Sequence, residues 1–236
     1  MGDWIAFWNS DHSIYVNARH RDVHYRMIAD DIARYVPVRD ATVLDYGCGD
    51  ALHADRIAAA AKRLILVEAA PAVRARLAAR FKDHPGIEVR APDGIGGLDR
   101  SVDIVVMNSV AQYLGTDELD ALLARFRAML KGGGLLIVGD VMAQGASAAS
   151  DIAALLRLAA ANGFLGAALF GLARTALSDY RRLRSTLGLT RYRPAAMVQK
   201  LSAAGFAAEQ APVNIGHNQA RLTFLARLPP MPDPTS

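Results

Sequence analysis

The sequence predicts an α/β fold built on a doubly wound, mostly parallel sheet, and three observations carry that prediction. Short apolar, β-branched runs alternate with helical periodicity between residues 42 and 140. The first run, Thr42 to Leu44, opens into the glycine turn Asp45-Tyr46-Gly47-Cys48-Gly49-Asp50. The second, Arg63 to Val67, ends on the acid Glu68, about twenty residues past the turn, where a carboxylate can meet ribose hydroxyls.

The elements follow in order. Residues 1–36 form an N-terminal piece with aromatic Trp4, Phe7, Trp8 and Tyr15, then a helix from Arg19 to Val36. Val23, Met27, Ile28, Ile32 and Tyr35 repeat there at helical spacing. This piece is either a lid over a ligand or a helix covering a sheet edge. Thr42 to Leu44 suits a strand buried on both faces. Gly47 and Gly49 let the backbone turn sharply and approach a ligand. Leu52 to Ala60 reads as a helix whose N-terminus faces that turn.

Ile87-Glu88-Val89 is the third strand and Val102 to Asn108 the fourth. Lys131-Gly132-Gly133-Gly134 is a structural turn before the strand Leu135 to Asp140. Ser150-Asp151-Ile152 starts a helix in an Ala/Leu-rich run that carries no charge between Arg157 and Arg174. That run is too short and too rich in alanine and glycine for a membrane span. Pro194 begins a helix through Leu201, and Phe206–Val213 and Ala220–Leu228 are the last two strands. Residues 229–236 are proline-rich and cannot continue a strand.

The glycine turn discriminates between ligands. A dinucleotide fingerprint requires a third glycine, yet Asp50-Ala51-Leu52 follows Gly49. Asp45 and Asp50 put negative charge beside the turn, which suits a cation better than a diphosphate. The Asp45-x-Gly47-x-Gly49 pattern, with Glu68, resembles the class I S-adenosylmethionine-dependent methyltransferases of small-molecule type. Asn108-Ser109-Val110-Ala111-Gln112-Tyr113 is similar to the segment after strand four in methyltransferase domains of natural-product synthases. Lys131 to Gly134 and Ala204-Gly205-Phe206 match the family's turns into strands five and six. The resemblance covers most of residues 37–142 and 194–228.

The resemblance implies a Rossmann-like, seven-stranded sheet with an antiparallel last strand and a helical cap insertion. It divides the chain into a lid segment (1–36), a cofactor-binding domain (37–142 and 194–228), a substrate cap (143–193) and a tail (229–236). S-adenosylmethionine is the expected cofactor. Asp45, Gly47, Gly49, Glu68, Asp93 and Asn108 are the expected cofactor residues, with Tyr15 and Arg19 at its methionine end. Glu68 holds the ribose or instead caps the helix opened by Pro71. Asp93 receives the adenine amino group or is a turn residue of Pro92-Asp93-Gly94.

Methyl transfer needs alignment above all, and a general base only when the nucleophile holds its proton. Tyr113, His20 and His24 are the catalytic or acceptor-anchoring candidates. His20 and His24 share a helix face, four residues apart, but no third ligand makes a metal set, so none is expected. Tyr113 has packing against Leu114 as its alternative, and His217, a fourth candidate for base or anchor, reads rather as a turn residue. Cys48 is a packing residue.

Composition bounds the rest. The chain has 236 residues, 52% of them hydrophobic, enough for one α/β domain with additions. One cysteine permits no internal disulfide, and the N-terminus lacks the regions of a signal peptide, so a cytoplasmic setting is expected. The net charge of +4 is mild. The arginines after Arg174 (181, 182, 184, 191 and 193) lie on a cap, a solvated helix face, or a helix resting on anionic lipid. The expected partner is a small hydrophobic or amphipathic acceptor. RNA is the alternative substrate, without the interleaved aromatics of a base-stacking platform. A non-catalytic cofactor-binding protein is the alternative class.

Overall fold

The computed structural model describes residues 15–176 and 189–230. Trp4, Phe7 and Trp8, the arginines at 181, 182 and 184, and the tail from residue 231 therefore lie outside the described residues.

The strands are β1 (Thr42–Tyr46), β2 (Arg63–Val67), β3 (Ile87–Arg90), β4 (Val102–Asn108), β5 (Leu130–Val141), β6 (Ala207–Gln210) and β7 (Leu222–Arg227). They form one sheet in the order β3-β2-β1-β4-β5-β7-β6. The pairs from β3 to β5 are parallel, and β7 runs antiparallel between β5 and β6. This is the doubly wound, Rossmann-like sheet the sequence predicts. The strand order reverses between β1 and β4, which opens a crevice at their carboxyl ends. Strand five begins earlier than expected: the chain leaves its helix at Met129, and Lys131 pairs with Asp103 across the strand starts (2.7 Å).

The helices are α1 (Ala18–Ala33), α2 (Ala54–Ala60), α3 (Pro71–Phe81), α4 (Thr116–Met129), α5 (Ala148–Ala161), α6 (Leu165–Ala176) and α7 (Pro194–Ala203). Proline opens α3 and α7, where its missing N–H has no partner to lose. Because side chains alternate along a strand, the sheet has two apolar faces. Leu44, Val105, Leu136 and Phe224 meet Leu119, Phe126 and Leu201 of α4 and α7 on one face. Val43, Leu64, Leu66, Val106 and Ile137 meet Ile32, Ile57, Val73 and Leu77 of α1, α2 and α3 on the other.

A third cluster joins the N-terminal helix to the insertion. Val23 of α1 packs with Leu158, Ala159, Phe164 and Ala168. Ser147 and Ser150 cap α5 reciprocally, and Asp151 in its first turn holds Arg221 (3.0 Å) and Asn218 (2.8 Å). Thus α1, α5 and the β6–β7 connection stand over the carboxyl end of the sheet. Among the described residues no helix is long and apolar enough to cross a membrane.

Candidate functional site

The glycine turn is drawn tight by its neighbours. The N–H groups of Gly47 and Cys48 donate to the Val67 carbonyl (2.8 and 3.3 Å). Gly47 has φ +73°, and a Cβ there would fall 2.4 Å from Val110 Cγ2. Gly49 has φ +59°, and its Cβ would fall 2.7 Å from the Tyr25 hydroxyl. Both positions need glycine for conformation and for space. Tyr25 reaches over from α1 and accepts from the Asp50 N–H (3.0 Å).

Glu68 clamps this turn from β2. Its Oε2 accepts from the Gly49 N–H (3.0 Å) and its Oε1 from the Ala70 N–H (2.7 Å). Glu68 does not cap the helix opened by Pro71, whose N-cap is Ala70 without a side-chain cap bond, and each carboxylate oxygen keeps acceptor capacity for a ligand hydroxyl. Asp45 lies behind it, only 6% exposed. Burial first, and the Glu68 carboxylate second, push Asp45 up to about 7. A positive charge beside a carboxyl buried in this way would favour its ionised form.

These residues line one cavity of about 810 Å³. Tyr15, His20, His24, Asn108 and Tyr113 line it as well. Two sequence candidates do not reach it. Arg19 is exposed and donates through Nε to the Asn162 carbonyl (3.4 Å). A helix turns about 100° per residue, so Arg19 and Arg21 face opposite ways. Of the two, Arg21 lines the cavity, where it pairs with Asp50 (2.6 Å). Asp93 is exposed on a 3₁₀ turn (Pro92–Ile95) that buries Ile95, and only Pro92 of that turn faces the cavity.

The far half of the cavity holds three histidines. His217, read from sequence as a turn residue, is carried onto α1 because the Gly216 N–H donates to Asp31 (2.8 Å). Its ring centroid lies 6.2 Å from His20 and 5.8 Å from His24. His20 stacks on Phe164 (5.3 Å), and Tyr15 stands edge-on to it (5.4 Å). Burial, reinforced by the other imidazoles, lowers His20 to about 4 and His24 to about 3, so both are neutral near pH 7. Burial also lowers His217. Among the described residues no group of three His, Cys, Asp or Glu is arranged to hold a metal ion.

The carboxyl ends of β4 and β5 supply the facing wall. Ser109 and Asp140 both adopt left-handed backbone (φ +60° and +52°). Ser109 Oγ donates to Asp140 Oδ2 (2.6 Å), and the Asp140 N–H donates to Asn214 Oδ1 (3.2 Å). Asn214 in turn ties down the β6–β7 connection through Ile215 and Asn218 (2.9 and 3.0 Å). Burial raises Asp140, against the opposing pull of Arg221 and of its hydrogen bonds. Sequence reading missed Ser109 and Asp140 as site residues, and weighed His217 as an anchor but favoured a turn role for it. The available signal was their position at strand ends and in a turn on the ligand side of an open sheet.

The sheet order β3-β2-β1-β4-β5-β7-β6 is that of the Rossmann-like methyltransferase fold. Residues 44–136 match a family model described as "Methyltransferase domain". This methyltransferase domain, on this fold, supports an S-adenosylmethionine-dependent methyltransferase and implies S-adenosylmethionine as the cofactor. No curated protein sequence matches it.

Solved structures share the fold at low identity. Phosphoethanolamine N-methyltransferase 1 of Haemonchus contortus, bound to phosphoethanolamine and S-adenosylhomocysteine, is 14% identical with a TM-score of 0.64, over 99% of this chain and 49% of that one. A Haloferax volcanii protein in complex with a methyltransferase activator is 16% identical with a TM-score of 0.61, over 97% and 99%. The 1,6-didemethyltoxoflavin-N1-methyltransferase of Burkholderia thailandensis, with its acceptor and S-adenosylhomocysteine, is 16% identical with a TM-score of 0.56, over 87% and 78%.

Proposed function

We propose that this methyltransferase acts on a small hydrophobic or amphipathic acceptor. The cavity carries the reading: it runs from the glycine turn to a half lined by His20, His24, Met142, Leu155, Leu189 and Ile215. Its volume, about 810 Å³, falls in the upper part of the usual range for small-molecule sites. Two of the structural neighbours are named for methyl transfer to small molecules, which agrees with it.

S-adenosylmethionine supplies a methyl group activated by its sulfonium. In this reading Gly47 and Gly49 give it backbone access, Glu68 accepts from the ribose hydroxyls, and Asp45 and Asn108 face its methionine end. Tyr15 roofs that end, and Arg21 takes the place expected for Arg19. The described parts of residues 1–36 and 143–193 serve as lid and substrate cap in this reading, in keeping with the contact of Val23 with Leu158 and Phe164. Tyr113 touches the acceptor at the crevice mouth. His20 and His24 anchor it as neutral hydrogen-bonding rings, since their lowered pKa values make them weak bases.

The test is transfer of a labelled methyl group from S-adenosylmethionine to paired acceptors that share a reacting atom but differ in polarity. The expected result is a rate at least tenfold higher for the apolar member. Equal rates would remove the acceptor class while leaving the methyltransferase intact.

A further inference from the structure

The wall at the carboxyl ends of β4 and β5 holds two strained residues side by side. Ser109 and Asp140 carry positive φ without being glycine, and such strain gathers where function requires a set geometry. The serine hydroxyl fixes one carboxylate oxygen of Asp140, and Asn214 fixes its backbone. Asp140 is half-buried and lines the cavity. The cation beside it, Arg221, is held bidentate by Asp151 (3.1 and 3.0 Å).

The residues of the same cavity leave buried polar atoms without partners. Three buried side-chain atoms lack partners among the described residues, namely Gln112 Oε1, Asn108 Oδ1 and His24 Nδ1. All three residues line this cavity. The Gln112 amide orientation is fixed because its nitrogen donates to the Ser109 carbonyl (2.8 Å), so the atom left over is an acceptor. Each unsatisfied buried group costs about 1–3 kcal/mol, and a ligand that brings donors relieves that cost.

We propose that Asp140 takes the proton of the methyl acceptor, and that the acceptor's nucleophile is a neutral hydroxyl or amine N–H held against the Ser109, Gln112 and Asp140 wall. The proposal rests on the acceptor occupying this half of the cavity. The acceptor oxygen or nitrogen forms a bond to the methyl carbon, whose bond to sulfur breaks with the electron pair staying on sulfur. The acceptor's proton moves to a carboxylate oxygen of Asp140. Burial favours this by raising Asp140 above an ordinary carboxylate, whereas the histidines opposite are lowered.

The first test is binding to the full chain saturated with S-adenosylhomocysteine, read by ligand-detected NMR. The probes are aromatic and alicyclic sets: a hydroxyl or primary amine compound, its O- or N-methyl counterpart, and the carboxylate of the same skeleton. Donor compounds should bind at least tenfold tighter than their methylated counterparts, and carboxylates weakest. Asp140→Asn should erase that preference, and asparagine tolerates the left-handed backbone. Gln112→Leu should reduce it. Equal binding of methylated counterparts, binding led by carboxylates, a preference unchanged in Asp140→Asn, or no binding by any probe would overturn the proposal. Calorimetry keeps the failures apart. If wild type does not bind S-adenosylhomocysteine, the underlying cofactor reading falls too, whereas normal binding with any of those results sinks the proposal alone.

The tightest donor is then assayed with S-adenosylmethionine. Asp140→Asn should lower kcat about 100-fold or more with little change in the KM for cofactor. The wild-type kcat, measured at cofactor concentrations that saturate at every pH, should fall as pH drops, and that fall should be absent in the variant. The other titratable groups on this cavity, among them Asp45, Asp50, Glu68, Asp151 and the histidines, are the same in both proteins. An unchanged kcat, or the same acid fall in the variant, would overturn the assignment.

Discussion

Replacing Asp45 by asparagine should make the unliganded protein more stable at neutral pH while weakening its hold on S-adenosylmethionine. Asp45 is 6% exposed and is raised from 3.8 to about 7 by burial and by Glu68. The folded state therefore holds one proton that the unfolded chain releases between pH 3.8 and 7. Stability falls as pH rises through that window, by about 1.4 kcal/mol per unit. Over roughly three units the sum is about 4 kcal/mol. Asparagine, having no proton to lose, removes that slope. The histidines contribute a slope of opposite sign, but it is common to both proteins and cancels in the difference. Urea unfolding of wild type and Asp45→Asn from pH 4 to pH 8 reads it directly. The gap should be near zero at pH 4 and grow to about 4 kcal/mol above pH 7. A gap that does not change with pH, or a variant less stable at pH 8, would refute the reasoning. The same carboxyl ties cofactor binding to pH. A sulfonium and an ammonium favour its ionised form, so affinity for S-adenosylmethionine should rise with pH up to about 7, at most tenfold per unit. S-adenosylhomocysteine, without the sulfonium, should show a shallower rise.

Three other outcomes follow from the structure. His24 is held near 3 against an ordinary 6.5, so its contribution is fully present above pH 6.5 and is lost as pH falls through 3; His24→Phe should flatten acid unfolding by up to about 5 kcal/mol across that window. Gly49→Ala meets both a left-handed backbone and the Tyr25 hydroxyl, and should lower stability by about 1–3 kcal/mol and cofactor affinity with it, read by thermal unfolding and calorimetry. Phe126→Ala empties a fully buried site between α4 and the sheet, and should cost about 3–5 kcal/mol in urea unfolding without moving the cofactor Kd of the folded protein.

The sheet was legible because its strands are local signals. Arg63–Val67 and Val102–Asn108 occupy the strands predicted from their apolar runs, and Gly47 and Gly49 take the positive φ their turn requires. The acid Glu68 was legible by distance from the turn. What escaped was set by tertiary contact. Arg19 and Arg21 differ by two residues, and only the packing of Val23 on the insertion decides which faces the cavity. His217 sits in a turn-like sequence, and its role follows from a hydrogen bond between Gly216 and Asp31, 185 residues away. Asp140 is indistinguishable in sequence from any acid at a strand end until Ser109 is found against it.

The central claim is a crevice that binds S-adenosylmethionine through Glu68 and the glycine turn. Calorimetry of the purified chain with S-adenosylmethionine, S-adenosylhomocysteine and NAD, repeated on Glu68→Ala, tests it most directly. Binding of the first two, absent for NAD and lost in Glu68→Ala, is the predicted result. Binding of NAD alone, or cofactor binding indifferent to Glu68, would contradict it.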